Sequence, residues 1–306
     1  MNFRAMILED LPKLLEITND YKTPRLSQEQ FEFSYIKDFS NLKREIYVLE
    51  DGKGILAWGR IQIPTDSGYA ELTLYPRSGP HKLKAAKTLL EAFEQRCIEL
   101  ELDYCDFGSW NRVGITEVPK QLNYECVTDQ INMKLNLASY IASPLDLSED
   151  VEFVTLAEEE SPEHLERFFN LLNAIFPSPD PKKPYIVRTK DLEEVFLGKR
   201  FPPGVCFIAK KDEAYIGTGS CFFTDPETSV FSHLGVLSSY QRKGIAKTIM
   251  HHLVSVSKGK NCSTLVSNRF YAENTPLIEL LSSLGFKEKS RFYLFRKKLK
   301  STDHSP

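Results

Sequence analysis

The stretch best suited to chemistry is a short polar loop, Gln241-Arg242-Lys243-Gly244-Ile245-Ala246. A loop that runs into a helix start presents unpaired backbone N–H groups and the positive end of the helix dipole, and these bind a phosphate or pyrophosphate. Gly244 lets the backbone approach the anion closely, and the small Ala246 avoids crowding it. Arg242 and Lys243 can add charge at the rim. The alternative is an ordinary surface loop with two solvated cations, because one short glycine-containing loop is weak evidence.

Two regular elements must hold this loop. Residues 229–237 (SVFSHLGVL) are rich in β-branched and aromatic side chains, which predicts a strand. After the loop, apolar residues recur at helical spacing, at Ile245, Ile249, Leu253 and Val256. The resulting order of strand, loop and helix places Gly244 at a helix start, where an anion site requires it.

With these flanking elements, the loop resembles the cofactor signature of the GNAT (general N-acetyltransferase) superfamily, Q/R-x-x-G-x-G/A. It follows a strand that ends in an apolar-x-Val pattern, Leu234-Gly235-Val236. Farther on, Asn274 opens a predicted helix that ends in Leu284-Gly285-Phe286, similar to the superfamily's second signature of an Asn followed by Gly-Phe. The resemblance covers residues 150–300 well and residues 1–137 only in outline.

The resemblance implies a twisted mixed sheet whose fourth and fifth strands splay apart to admit acetyl-coenzyme A (acetyl-CoA). Its pyrophosphate would lie on residues 241–246 and its pantetheine arm would pair with the strand near Leu234 and Val236. Asn274 would contact the pantetheine or hold the splay open; the alternative is that it is a helix cap, although Thr275 and Pro276 already predict an N-cap and first-turn proline. The cofactor-binding residues implied are Leu234, Val236, Gln241, Arg242, Lys243, Gly244, Ile245, Ala246 and Asn274.

The implied reaction is direct transfer of acetyl from acetyl-CoA to a primary amine of a small molecule or peptide, without a metal. It needs a base for the ammonium, donors for the oxyanion and an acid for the thiolate. In the superfamily the usual acid is a tyrosine seven residues after the Asn; here that position is Leu281, part of an apolar helical stripe typical of core. Tyr271 is the nearest alternative acid. His233 is the candidate base because its ordinary pKa suits that role, and its alternative role is packing on the other sheet face.

The chain also shows the outline of an internal repeat. Residues 46–63 and 206–223 each contain two apolar runs about a charged turn, which predicts a β-hairpin in both places. A strand and then a helix follow each hairpin. We therefore predict an α/β (α+β) protein of two tandem GNAT-like domains, each a twisted mixed sheet flanked by helices. The predicted ranges are 1–137 for the first domain, 138–149 for a linker, 150–300 for the acetyl-CoA-binding domain and 301–306 for a tail.

The first copy departs from the anion-binding pattern. Its loop reads Arg77-Ser78-Gly79-Pro80-His81-Lys82-Leu83-Lys84, with Lys82 at about the position of Gly244. Pro80 removes a backbone donor, and Gly79 comes several residues early. This predicts a degenerate cofactor site; the alternative is that the cation cluster binds coenzyme A phosphates in another way.

Composition and charge limit the classes of protein to which this chain could belong. The 306 residues include 39 Lys and Arg against 42 Asp and Glu, a net charge of −3, so no global attraction to nucleic acid or anionic membrane is expected. No apolar run approaches the ~20 residues of a membrane span, and acidic residues interrupt the apolar stretch at the amino terminus, unlike a signal peptide. We expect a cytoplasmic monomer or homodimer. The six cysteines are spread singly, which predicts reduced, mostly buried thiols rather than metal ligands or disulfides.

Two rival functions stay open at this point. One is an acyl-CoA-binding or sensing module without turnover, which the missing tyrosine permits, and the other is a scaffold that uses both copies for protein contact. The acceptor cannot be read from the sequence, because in this superfamily it is selected by variable segments such as 177–203.

Overall fold

The computed structural model describes residues 1–22, 25–36, 42–65, 67–141, 150–156, 162–176 and 204–299. The chain forms two compact units. Unit 1 comprises Met1–Ile131 and Ser290–Pro306, and unit 2 comprises Asn132–Lys289. Most of the predicted linker, the segment 177–203 and the tail 301–306 lie outside the described residues.

Each unit is built on a mixed sheet. The strands of the described residues are β1 (Asn2–Ala5), β2 (Leu42–Asp51), β3 (Gly54–Pro64), β4 (Tyr69–Pro76), β5 (Tyr104–Trp110), β6 (Glu125–Asn136), β7 (Glu152–Thr155), β8 (Gly204–Lys211), β9 (Ala214–Asp225), β10 (Thr228–Val236), β11 (Thr264–Ser267), β12 (Phe270–Tyr271) and β13 (Lys287–Lys298). The helices are α1 (Leu11–Asn19), α2 (Gln28–Phe31), α3 (Lys82–Glu99), α4 (Glu117–Gln121), α5 (Pro162–Ile175), α6 (Ile245–Gly259) and α7 (Thr275–Ser283). A π-helical turn follows α2 at Glu32–Ile36, and a 3-10 turn precedes α6 at Ser238–Tyr240.

The two units repeat one topology, which confirms the predicted fold class. In unit 1 the strand order is β1-β2-β3-β4-β5-β13, and in unit 2 it is β7-β8-β9-β10-β11-β6. Neighbours are antiparallel except for one parallel pair in each unit, β4–β5 and β10–β11. The predicted hairpins at 46–63 and 206–223 are present as β2–β3 and β8–β9.

Part of the last strand of each copy lies in the other copy's unit. β13, at the end of the second half of the chain, pairs with β5 from Phe292↔Trp110 to Lys298↔Tyr104, and residues 134–136 of β6 pair with β11. The compact units therefore differ from the predicted ranges 1–137 and 150–300 at these two strands. Those ranges remain a prediction about the duplicated copies.

Helix α3 and the strands beside it form the core of unit 1. The helix buries Leu89, Leu90 and Phe93 completely, and burial of one such side chain stabilises the fold by roughly 1.5 to 3 kcal/mol. On β3 and β4, the rings of Trp58 and Tyr75 stack with centroids 5.2 Å apart. This packing holds β3 against β4, and β4 is one strand of the parallel pair β4–β5.

Unit 2 is covered on its two faces by different helices. Helix α6 buries Ile249, Met250 and Leu253, and α5 packs Phe168 and Leu172 into a separate apolar cluster with β8. Residues of alternate parity along β10 consequently face different helices.

The next features are the cysteines, the candidate metal-binding groups and the apolar helices of the described residues. All six cysteines are free thiols, five of them buried, and Cys126 is exposed. Burial raises the pKa of the thiols of Cys97, Cys206 and Cys221 to about 12. Among the described residues, no group of His, Cys, Asp or Glu could hold a metal ion, and none of the described helices is long and apolar enough to cross a membrane.

Candidate active site

Strand β10 parts from its parallel neighbour halfway along its length. The pairing of β10 with β11 runs from Thr228↔Thr264 to Phe231↔Ser267, and β10 then continues to Val236. On its other side β10 stays paired with β9 as far as Val236↔Gly217. Residues 232–236 are therefore not paired with β11, and β10 and β11 splay apart there. Alternate residues of this segment direct their backbone N–H and C=O groups away from β9.

The loop after β10 is held in a shape that only certain residues favour. The side-chain Nε2 of Gln241 donates to the carbonyl of Val236 at 3.0 Å, which ties the loop to the strand end. Arg242 and Gly244 both have positive φ, 60° and 81°, and the left-handed region is adopted at little cost only by glycine. A Cβ added at Gly244 would meet nothing within 4 Å, so the space next to this residue is open.

Helix α6 begins directly after this glycine, as the sequence predicts. Gly244 is its N-cap, and the first intrahelical bond runs from the N–H of Thr248 to the carbonyl of Gly244 at 3.0 Å. The N–H groups of Ile245 and Ala246 precede this bond, so they lie at the helix start, where N–H groups have no acceptor in the helix. The side chain of Ile245 is buried in the core, so its N–H, not its side chain, belongs to the loop's open face.

The two cations of the loop are exposed. The Nζ of Lys243 donates to the carbonyl of Ser239 at 3.0 Å and lies 5.2 Å from the ring centroid of Tyr240. The side chain of Arg242 is exposed. Positive charge, a helix start and a left-handed glycine thus coincide at the splay, which is the arrangement that accommodates a pyrophosphate.

His233 lies on one face of β10, and Leu234 and Val236 lie on the other. Leu234 and Val236 pair with Gly219 and Gly217 of β9, two residues that lie against Ile249 of α6. His233 instead faces the end of α5, where its ring centroid is 5.9 Å from that of Phe176.

Its Nδ1 is 3.0 Å from the hydroxyl of Ser220, a neighbour that the sequence pattern did not single out. A β-bulge between Phe231 and His233 brings the two residues together. Burial lowers the pKa of His233 below its ordinary value, so the imidazole is neutral at physiological pH.

The other candidates lie after β11. Asn274 is the N-cap of α7, where its Oδ1 accepts from the N–H of Leu277 at 3.3 Å. The helix cap, which was the alternative role of Asn274, is therefore present, and Thr275 is already the first helical residue. Tyr271 is 59% exposed and Leu281 is completely buried, as the predicted apolar stripe requires.

The corresponding loop of unit 1 is built differently. Counted from the helix start, His81 rather than Lys82 occupies the Gly244 position, because α3 begins at Lys82. The Nζ of Lys82 lies 5.1 Å from the ring centroid of Tyr21, and burial lowers its pKa. Gly79 has a φ of 137° but lies three residues before the helix.

Comparison with known proteins agrees with this geometry. Residues 165–286 match the model of the acetyltransferase (GNAT) family, and no curated protein sequence matches the chain. A tandem GNAT protein from the clavulanic acid biosynthesis pathway has a similar structure, with a TM-score of 0.67 over 99% of both chains at 12% identity. A GCN5-related N-acetyltransferase from Sphaerobacter thermophilus gives a TM-score of 0.69 at 14% identity, over 98% of this chain and 96% of that one.

At identities this low, the structural similarity shows a shared fold, and the family match covers residues 165–286. The repeated topology accounts for the first half, whose loop lacks the signature. Residues 165–286 therefore match the acetyltransferase (GNAT) family, and the chain as a whole shares the fold of tandem GNAT proteins.

Proposed function

We propose that the chain transfers acetyl from acetyl-CoA to a primary amine of a small molecule or peptide, by direct transfer within residues 150–300. The observation that carries the proposal is Gly244, which combines a φ of 81° and open space with the start of α6. This glycine stands at the end of the strand whose edge leaves β11. We further propose that the enzyme acts in the cytoplasm as a monomer or homodimer.

The described residues fit coenzyme A in two places. The N–H groups at the start of α6 would bind the pyrophosphate, assisted by Arg242 and Lys243, while Gln241 holds the loop. The open edge near Leu234 and Val236 offers peptide groups for the pantetheine amides. Asn274 already serves as a helix cap, so a contact with pantetheine would be additional to that bond.

For the chemistry we propose His233 as base and Tyr271 as acid. A proton on Nδ1 of His233, donated to Ser220, makes Nε2 the proton acceptor. His233 would take a proton from the ammonium, and the amine nitrogen would then bond to the thioester carbonyl carbon. The C–S bond would break as the carbonyl re-forms, and the thiolate would take the hydroxyl proton of Tyr271. The second proton that the nitrogen loses as it becomes an amide would pass to the Tyr271 oxygen. Backbone N–H groups at the splay would stabilise the oxyanion.

The binding part is tested with two matched glycine variants. Gly244 and Gly79 both have positive φ, both precede a helix, and a Cβ added at either would meet no atom within 4 Å. Saturating acetyl-CoA, at 100 times its dissociation constant, should stabilise the wild type by about 2.7 kcal/mol. We expect Gly244→Glu to lose this melting shift, because the carboxylate would stand where the pyrophosphate binds, and Gly79→Glu to keep it. Equal behaviour of the two variants would contradict a single binding site in the second domain.

The chemical part is tested by thiol release with a panel of primary amines. With a confirmed acceptor, Tyr271→Phe should lower kcat by about a hundredfold or more, the usual scale for a positioned proton donor. The acetyl-CoA melting shift should be unchanged, since only an exposed hydroxyl is removed. Wild-type turnover in Tyr271→Phe would exclude this residue as the acid.

A second candidate function is an acyl-CoA-binding or sensing module without turnover. The observation that favours it is Leu281, which is completely buried at the position of the superfamily's usual acid. A melting shift with acetyl-CoA, combined with no thiol release from any amine of the panel, would establish this second function in place of the first.

A further inference from the structure

Unit 1 contains a cavity that the proposed acetyl transfer does not use. Its volume is about 300 Å³, at the small end of ligand-binding pockets. Residues 71–75 of β4, residues 106 and 108–110 of β5 and two residues of β13 form one wall. Lys22, the turn that follows α2, and Arg60 of β3 complete the lining.

Arg60 is the unusual group in this lining. Its Nη1 donates to the carbonyl of Ser34 at 3.0 Å, and its Cζ lies 5.0 Å from the ring centroid of Tyr35. Its Nε is buried and has no hydrogen-bond partner among the described residues. The guanidinium is half-buried. Its partial removal from water without a carboxylate costs free energy, and an anion bound beside it would offset that cost.

A second unused donor lies beside it. The hydroxyls of Tyr35 and Tyr75 are 3.2 Å apart, and both side chains are more than nine-tenths buried, with 7% and 6% exposed. Two hydroxyls that share one hydrogen bond keep one O–H hydrogen to donate elsewhere. The cavity therefore offers an arginine N–H and a tyrosine O–H from neighbouring side chains.

The charges around the cavity favour a ligand with one negative charge. Lys22 also lines it, and neither Lys22 nor Arg60 has a carboxylate within 4 Å in the described part of the chain. Asp106 is already bound by Arg296 through two contacts of 2.7 Å. Glu71 is exposed and is the remaining carboxylate of the lining. Among the described residues of the lining, the two cations Lys22 and Arg60 thus stand against one carboxylate without an ion pair, that of Glu71.

The rest of the lining is apolar and aromatic. Trp110 and Phe292, whose centroids are 5.4 Å apart, stand with Leu294 and Val113 around the space. Burial of an apolar body against such walls supplies affinity that a bare inorganic anion would lack.

We propose that this cavity of unit 1 binds a small molecule that carries one carboxylate on an aromatic or aliphatic body. The carboxylate would accept from Arg60 and from the Tyr35–Tyr75 pair, and the body would pack on Trp110 and Phe292. The first domain, which lacks the coenzyme A loop, would thus have a ligand site of its own.

The test uses the full chain with phenylacetate as the probe and phenylacetamide as its uncharged counterpart. Binding is followed by calorimetry and by the fluorescence of Trp110, which lines the cavity. We expect phenylacetate to bind and phenylacetamide to bind at least tenfold more weakly. Arg60→Met should weaken phenylacetate binding about tenfold or more, the scale of a lost hydrogen bond to a charged group. Arg77→Met, which removes an exposed arginine of the same unit, should leave the affinity unchanged.

Stability separates a ligand site from a structural role for Arg60. A methionine of similar length replaces a cation that has no ion pair among the described residues, so the melting temperature of Arg60→Met without ligand should stay the same or rise. Should Arg60→Met fail to fold, Arg60→Lys, which keeps the charge but loses the paired donors, should still weaken binding.

Three results would overturn the proposal: equal affinity for the acid and the amide, unchanged affinity in the arginine variants, or no binding of phenylacetate at about 10 mM. Gly244→Glu should bind phenylacetate like the wild type, so failure of this site and failure of the acetyl-CoA site are distinguishable.

Discussion

At the scale of single residues, burial of neutral imidazoles makes the stability of the protein depend on pH. Burial lowers the pKa of both His233 and His252 below the ordinary value of 6.5. Below pH 6.5 the unfolded chain binds protons at these positions that the folded chain does not, so the free energy of unfolding must fall as the pH falls. Paired carboxylates act in a lower range, since the pKa of Glu45 beside Arg96 is about 2.

We therefore expect the unfolding free energy to decrease between pH 7 and pH 5, and His233→Gln to make this decrease smaller. Urea unfolding at several pH values measures both slopes. His81→Gln is a suitable control, as it removes a surface histidine at the start of α3. An unchanged slope in His233→Gln, or an equal change in the control, would contradict the buried neutral imidazole. With the acetyl transfer proposed above, the same group would place the acidic limb of kcat/KM below pH 6.5.

At the scale of elements, the end of α5 packs closely against β10 at Gly235. A Cβ at Gly235 would overlap Cγ2 of Ile175 and lie 2.9 Å from Cζ of Phe176, so any side chain must push the helix end away. We expect Gly235→Ala to lower the unfolding free energy by about 1 to 3 kcal/mol, the usual cost of overpacking.

The matched control is Gly259→Ala in α6. A Cβ there meets nothing within 4 Å, and alanine is the better helix former by about 1 kcal/mol, so stability should stay equal or rise. Denaturant unfolding of both variants checks the prediction, and a Gly235→Ala protein as stable as wild type would show that α5 does not press on this strand.

The sequence predicted individual strands and helices better than the tertiary contacts between them. The hairpins at 46–63 and 206–223, the strand before Gly244 and the helix from Ile245 follow from local alternation and turn residues, and all are present. Nothing local reveals that Phe176 meets Gly235 or that Ser220 meets His233, because those contacts depend on tertiary packing. Arg60 was missed for the same reason: an arginine within a strand is typical of a solvated face, and only the fold shows that it lines a cavity.

At the scale of the whole molecule, the exchange of last strands decides which parts can fold alone. β13 supplies Phe295, which is completely buried in the core of unit 1. It also supplies Arg296, which binds Asp106 through both carboxylate oxygens. Loss of one buried phenylalanine side chain commonly costs about 3 to 5 kcal/mol, against a total stability of about 5 to 15 kcal/mol for a typical domain. Sequence periodicity does not say which sheet β13 joins.

We therefore expect a fragment of residues 1–137, cut at the predicted linker, to lack a cooperative unfolding transition, since β5 would have an unpaired edge and Asp106 would be buried without Arg296. A fusion of residues 1–131 to residues 287–299 through a flexible glycine-serine linker should restore the transition, because it returns the pairing from Phe292↔Trp110 to Lys298↔Tyr104. The same fusion carrying Phe295→Ala and Arg296→Ala is the control, and it should remain unfolded. Circular dichroism during thermal unfolding distinguishes the three proteins. If residues 1–137 alone unfold cooperatively at the temperature of the fusion, β13 is dispensable, and the first copy is self-sufficient with the boundary at 138–149.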